Sequence, residues 1–129
     1  MGRRSQAVGQ TYESMLDGYH DTLRQRGVAD VRKVPTPVAI RSRTGGVVSG
    51  VERSSTVDYS GTLIGGVAVY FDAKTTQGSR WRIDQLKAHQ LAFLLDQHSL
   101  GAIVFVLVER RRGARRQHVI PVNYIHRAV

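Results

Sequence analysis

Apolar side chains recur at helical spacing through Tyr12, Met15, Leu16, Tyr19 and Leu23, and Gly27 follows as a stop, so the pattern predicts an amphipathic helix over roughly residues 5–26. Glu13 lies beside that stripe and reads, on pattern alone, as a solvated flank residue. From Val34 the texture changes. Pro35-Thr36-Pro37 forces extended backbone, and Val38, Ile40, Val47, Val48 and Val51 recur around Thr44-Gly45-Gly46. This predicts an irregular β-hairpin over 37–53 with little apolar material to bury. A projecting arm and a solvated edge hairpin both fit.

Two strand-like stretches follow at 57–64 and 67–75, separated by Gly65-Gly66, which suits a tight hairpin turn. Val67, Val69 and Phe71 alternate with Ala68, Tyr70 and Asp72. On a strand this puts Asp72 and Lys74 on one face, opposite Val69 and Phe71. A second helix is predicted over about 83–98, with Asp84 as a first-turn acid and Gly101 beyond its end. Its packed face carries Ile83, Leu86, Gln90, Phe93 and Leu94, among which the glutamine is the odd member. Residues 101–108 form a nearly continuous apolar run, the pattern of a strand covered on both faces. A basic loop over 110–116 and a last strand over 118–122 complete the chain. The order predicts one α/β domain over residues 1–129, a mixed β-sheet flanked by helices, with no internal repeat.

Charge then narrows the partner. The chain carries nineteen basic against ten acidic residues, a net charge of +9, and its only lysines are Lys33, Lys74 and Lys87. An arginine-dominated excess favours a polyanion, because the guanidinium fork matches phosphate oxygens. Nucleic acid is therefore the expected partner. Arg41, Arg43 and Arg53 lie on the predicted hairpin with Arg32 and Lys33 at its base, while Arg3, Arg4, Arg110, Arg111, Arg112, Arg115 and Arg116 are further candidates for phosphate contacts. The absence of cysteine excludes disulfides and thiolate metal sites, and the five histidines lack metal-ligand spacing. No apolar run approaches the roughly 20 residues that span a bilayer, and the N-terminus lacks a signal-peptide pattern. A cytoplasmic location without membrane partners or a small-molecule cofactor is expected.

The chemistry concentrates in Ser55-Thr56-Val57-Asp58-Tyr59-Ser60-Gly61 and Phe71-Asp72-Ala73-Lys74. Two carboxylates on adjacent strands, with an ammonium two residues after the second, can hold Mg²⁺ against a phosphodiester. That ion takes few carboxylates, retains water and accepts substrate oxygens. Lys74 would stabilise charge gathering on the phosphoryl oxygens. Asp-x-Lys alone is an ordinary surface ion pair. The conjunction with Asp58, a basic chain, Gln90 and Glu13 is what points to a site, since a buried amide such as Gln90 needs a polar partner or a core backbone group.

Lys33-Val34-Pro35-Thr36-Pro37, residues 55–61, Phe71-Asp72-Ala73-Lys74-Thr75-Thr76, His89-Gln90 and Gly101-Ala102-Ile103-Val104-Phe105 resemble, in order and over nearly the whole chain, the motifs of RecU-type Holliday-junction resolvases. The resemblance implies a restriction-endonuclease-like core of the PD-(D/E)xK superfamily and a homodimer. It also implies cleavage of paired strands at a four-way junction with Mg²⁺ or Mn²⁺, leaving 5′-phosphate and 3′-hydroxyl ends. By position it implies a metal site of Thr56, Asp58, Asp72 and Gln90, with Lys74 stabilising the transition state and Glu13 as a first-helix acid near the metal. The hairpin over 37–53 would be the stalk that enters the junction centre. Two departures stand out: Asp72 occupies a position where the motif usually has Glu, and the chain is shorter than typical bacterial members, as in a compact phage-type or divergent resolvase. A superfamily nuclease with another DNA substrate, and a DNA-binding protein without catalysis, are the competing readings.

Overall fold

The computed structural model describes the backbone of residues 2–35, 38–41, 49–52, 57–78, 81, 85–111 and 116–128, and the side chains of 12–35, 57–78, 81, 85–111 and 116–125. The elements are α1 (Gly2–Gln25), β1 (Ala29–Lys33), β2 (Val38–Arg41), β3 (Ser49–Glu52), β4 (Tyr59–Leu63), β5 (Val67–Thr76), α2 (Ala88–Ser99), β6 (Ile103–Arg110), β7 (Arg116–Pro121) and α3 (Val122–Ala128). Five strands form one mixed sheet in the order β1-β4-β5-β6-β7, and β2 pairs with β3 separately. Among the described strands only β5 and β6 run parallel, because the crossover between them carries α2. Helix α1 packs on one face, α2 and α3 on the other. The expected mixed sheet flanked by helices is what forms. Among the described residues no helix is long and apolar enough to cross a membrane.

The pleat divides the core into two layers. On the α1 face, Tyr12, Leu16, Ala29, Val31, Tyr59, Val69 and Phe71 cluster; on the other, Leu94 of α2 and Val122 and Ile125 of α3 meet Val104, Val106 and Val108. Across the α1 face runs an aromatic ladder. Tyr59 stacks on Phe71 with ring centroids 4.9 Å apart, and Phe71 on Phe105 at 4.7 Å, following the register Tyr59↔Phe71↔Phe105. His20 of α1 leans against the first two rings. Each such pair adds about 0.5–1.5 kcal/mol beyond burial. A one-residue slip would turn every ring to the wrong face, so the ladder fixes how β4, β5 and β6 align.

Three glycines make this alignment possible. Gly65 and Gly66 take φ of +91° and +81° in the β4–β5 turn, where side chains are strained. Gly61 faces β1 so closely that an added Cβ would lie 2.1 Å from the Asp30 carbonyl oxygen.

Several elements differ from the pattern-based expectation. β1 and α3 are additional elements, and β7 begins two residues before the expected 118. Helix α2 starts at Ala88, not near 83, because the Gln90 side chain accepts a hydrogen bond from the Lys87 backbone N–H at 3.1 Å and so satisfies a donor at the helix start. Asp84, the expected first-turn acid, lies outside the described residues. On α1, Tyr12 and Leu16 are buried, but Met15 and Tyr19 are 46% and 63% exposed. Two of the five stripe residues are thus left largely exposed among the described residues.

Candidate active site

Antiparallel pairing of Tyr59 with Phe71 sets the next pair outward, Asp58 and Asp72, opposite one another. Like charges directly across a sheet destabilise it. Here the strands part and the carboxylates replace ladder acceptors. Asp72 Oδ1 accepts from the Asp58 backbone N–H at 2.9 Å, and Asp58 Oδ2 accepts from the Ala73 N–H at 3.0 Å. The Asp58 carbonyl accepts from the Val34 N–H at 2.7 Å, tying the site to the end of β1. Asp72 is fully buried, and its Oδ2 has no hydrogen-bond partner among the described residues. Burial foremost, and then the Asp58 charge, push the Asp72 carboxyl up to about 7, against the pull of the Asp58 N–H and Lys74.

Lys74 follows Asp72 by two residues and shares its face. Its Nζ donates to Gln90 Oε1 at 3.4 Å, the same oxygen that receives the Lys87 N–H. The buried amide on α2 therefore has both a backbone partner and the site's ammonium. On the α1 side, Glu13 Oε2 lies 2.6 Å from Lys33 Nζ, and this bond holds the Lys33 ammonium above the usual lysine range; Asp58 lies within its field. The structure thus brings Asp58, Asp72, Lys74 and Gln90 together, with Glu13 and Lys33 as an ion pair at the flank. Thr56 lies outside the described residues.

A buried Asp72 carboxylate facing the half-buried Asp58, with one oxygen that has no partner among the described residues, is the environment a divalent cation would relieve. Among the described residues no three His, Cys, Asp or Glu side chains gather as a metal group. The donor set is instead two carboxylates and an amide, which suits Mg²⁺ with its retained water better than Zn²⁺.

The candidate phosphate-binding arginines separate. Arg32 is exposed and bonded to Asp30 at 2.9 Å. Arg111 is turned inward, its Nη2 3.1 Å from Glu109 Oε1 with both side chains under a tenth exposed. Arg111, just past β6, presents little charge to solvent, because the odd-numbered positions here point into the α1 layer. Glu109, buried at the end of the apolar run, is the residue that sequence reasoning missed; the alternation continuing from Phe105 and Leu107 was its signal. Arg110 is partly buried and Arg116 exposed. Arg43, Arg53, Arg112 and Arg115, and the side chains of Arg3, Arg4 and Arg41, lie outside the described residues.

Comparison with known proteins decides the family. The family described as RecU, Recombination protein U, matches residues 7–128. The chain belongs to the RecU family. A relative named Holliday junction resolvase RecU, from Streptococcus gordonii, is 30% identical over 91% of this chain and 62% of its own length. A second of that name, from Streptococcus thermophilus, is 33% identical over 78% of this chain and 54% of its own. This RecU chain spans little more than half the length of the curated relatives it matches. Among solved structures, the Holliday junction resolvase Hjc of Archaeoglobus fulgidus aligns with 80% of this chain and 73% of that one, at 18% identity and a TM-score of 0.47.

Proposed function

We propose that this RecU-family chain is a Mg²⁺-dependent endonuclease, able to use Mn²⁺, that resolves four-way DNA junctions as a homodimer and so serves DNA recombination and repair. The observation that carries this reading is the buried Asp72 opposed by the half-buried Asp58, with Lys74 on the same face. The family and the names of its relatives support the junction as substrate.

Asp58 and Asp72 would hold the cation through carboxylate oxygens not bonded to main chain, joined by Gln90 and Thr56 as the family resemblance implies. When bound, the cation supplies charge neutralisation at the phosphate and lowers the pKa of water beside it. Lys74, steadied by Gln90, sets a positive charge where negative charge grows on the phosphoryl oxygens, an effect worth about 10²–10³ in rate for a single well-placed donor. Glu13 acts as a positioning residue, fixing Lys33 beside Asp58. The hairpin carrying Arg41, Arg43 and Arg53 would enter the junction centre, with Arg3, Arg4 and Arg32 along its arms.

Two-fold symmetry of the substrate suits an isologous dimer, which presents identical sites to paired strands. The uncovered α1 face supports such pairing. A groove of about 600 Å³ there is lined by Met15, Tyr19, Ile103, Leu107 and Val119 among others, with no Lys, Arg, Asp or Glu, in a chain whose net charge is +9. A groove lined without these charged side chains repels no second copy and offers little to phosphate.

Incubation with synthetic four-way junctions, flaps and linear duplexes in Mg²⁺ or Mn²⁺ tests the reading. Paired nicks in the junction, with linear duplex left whole, are expected. Preferential cutting of linear duplex would assign a different nuclease substrate, and binding without cutting would assign a non-catalytic role.

A further inference from the structure

The apolar run of β6 ends in arginines that charge alone treats as equivalent, yet the pleat sends them to opposite faces. Val104, Val106 and Val108 point toward α2 and α3, so Arg110 points the same way, whereas Arg111 is committed to Glu109 on the α1 side. Strand pairing extends this face in both directions. Arg110 aligns with Thr76 on β5 and with Arg116 on β7, and His118 aligns with Val108. Asp72 and Lys74 belong to the same face, because Tyr70 packs in the α2 layer and Lys74 bonds to Gln90 of α2. From the site outward, then, one face presents Asp72, Lys74, Arg110 and Arg116, with His118 beside them.

Sheet geometry gives the spacing. Lys74 pairs with Val108, so Arg110 begins about 8 Å from Lys74, two residues further and one strand across, and Arg116 about 5 Å beyond it. Arg110 is half-buried with its Nε shielded from solvent, and neither that atom nor any carboxylate gives it a described partner. Arg116 and His118 are exposed. An arginine with no counter-charge among the described residues, partly desolvated and followed by a second cation, is the arrangement that receives successive phosphates.

We propose that Arg110 and Arg116, with His118 at their side, form a track that holds the DNA strand being cut by its phosphates next to the scissile one. This rests on the nuclease reading above, and assigns these arginines to the cut strand, not to a remote junction arm. Arg111 has the opposite role: it neutralises Glu109 and ties β6 to β5 through its N–H bond to the Thr76 carbonyl at 2.9 Å.

The test combines protein and DNA charge removal. Once the cut positions are mapped, junctions with neutral methylphosphonate linkages within three nucleotides of each cut are compared with unmodified ones, for wild type and Arg110→Gln/Arg116→Gln, in EDTA across a salt series. Wild type should lose about tenfold in affinity on the neutral linkages and the double variant little more than it has already lost. The slope of log affinity against log salt should fall by about 2 in the double variant, at about 0.9 per contact. Arg110→Lys/Arg116→Lys should keep the slope, and Arg116→Gln alone, exposed on β7, should lower it by about 1 even if the double variant folds poorly. An unchanged slope, or an equal penalty from neutral linkages in variant and wild type, would overturn the track while a cleaving wild type leaves the nuclease reading intact. A wild type that cuts no DNA overturns both.

Discussion

Asp72→Asn is expected to reduce junction cleavage by about 10³-fold or more, while junction binding in EDTA stays within a few-fold of wild type. Asparagine keeps the Oδ1 that receives the Asp58 N–H, so the strand geometry survives. What disappears is one of two anions facing each other across the parted strands. A cation's stabilisation of the reacting phosphate is worth several kcal/mol, and about 1.4 kcal/mol corresponds to a factor of ten. Single-turnover cleavage of a labelled four-way junction reads the effect. Activity within tenfold of wild type would remove Asp72 from the reaction.

The same substitution should stabilise the protein that lacks metal. The folded-state pKa of Asp72 is raised from 3.8 to about 7, so folding favours the neutral carboxyl. That contribution is fully present below about pH 3.8, erodes as pH rises, and is gone above about pH 7, where folding must bury a charge facing Asp58. A shift of this size corresponds to a few kcal/mol at pH 8. In EDTA at pH 8, Asp72→Asn should therefore melt on the order of 10 °C higher than wild type, given how midpoint scales with stability in a chain this size. The gap should narrow as pH falls below 7, and saturating Mg²⁺ should reverse the order, since only wild type gains from binding. Thermal melts at pH 5, 7 and 8 with and without Mg²⁺ check it; a variant no more stable than wild type at pH 8 in EDTA would mean that the opposed carboxylates are not under strain.

The convergence of Asp58, Asp72 and Lys74 was legible in the sequence because period-two alternation and the Gly65-Gly66 turn together specify which residues face each other on a hairpin. Gln90 was legible as a polar member of an apolar helix face, though its double use, capping α2 and holding Lys74, needed coordinates. β1 escaped because only Ala29 and Val31 of its five residues point inward, too short an alternation to register. α3 escaped for a similar reason: among its described side chains Val122 and Ile125 are the buried ones, less than a full amphipathic pattern. Periodicity correctly gave α1 an apolar stripe, but it cannot say what covers the stripe, and Met15 and Tyr19 stay largely exposed at the rim of a groove. Arginine content pointed to phosphate without distinguishing Arg110 from Arg111. Their fates part at a single step of the pleat, where the buried Glu109 claims one of them.

Calorimetric titration of Mn²⁺ into wild type, Asp58→Asn and Asp72→Asn at pH 6.5, in two buffers of different ionisation enthalpy, measures whether the two carboxylates share a cation. Wild type should bind with release of up to about one proton, because Asp72 is largely protonated there and a cation must displace that proton. Both variants should bind at least about 100-fold more weakly, as expected when a direct ligand is lost. Equal Mn²⁺ affinity in all three proteins, or binding by wild type without proton release, would contradict a shared cation.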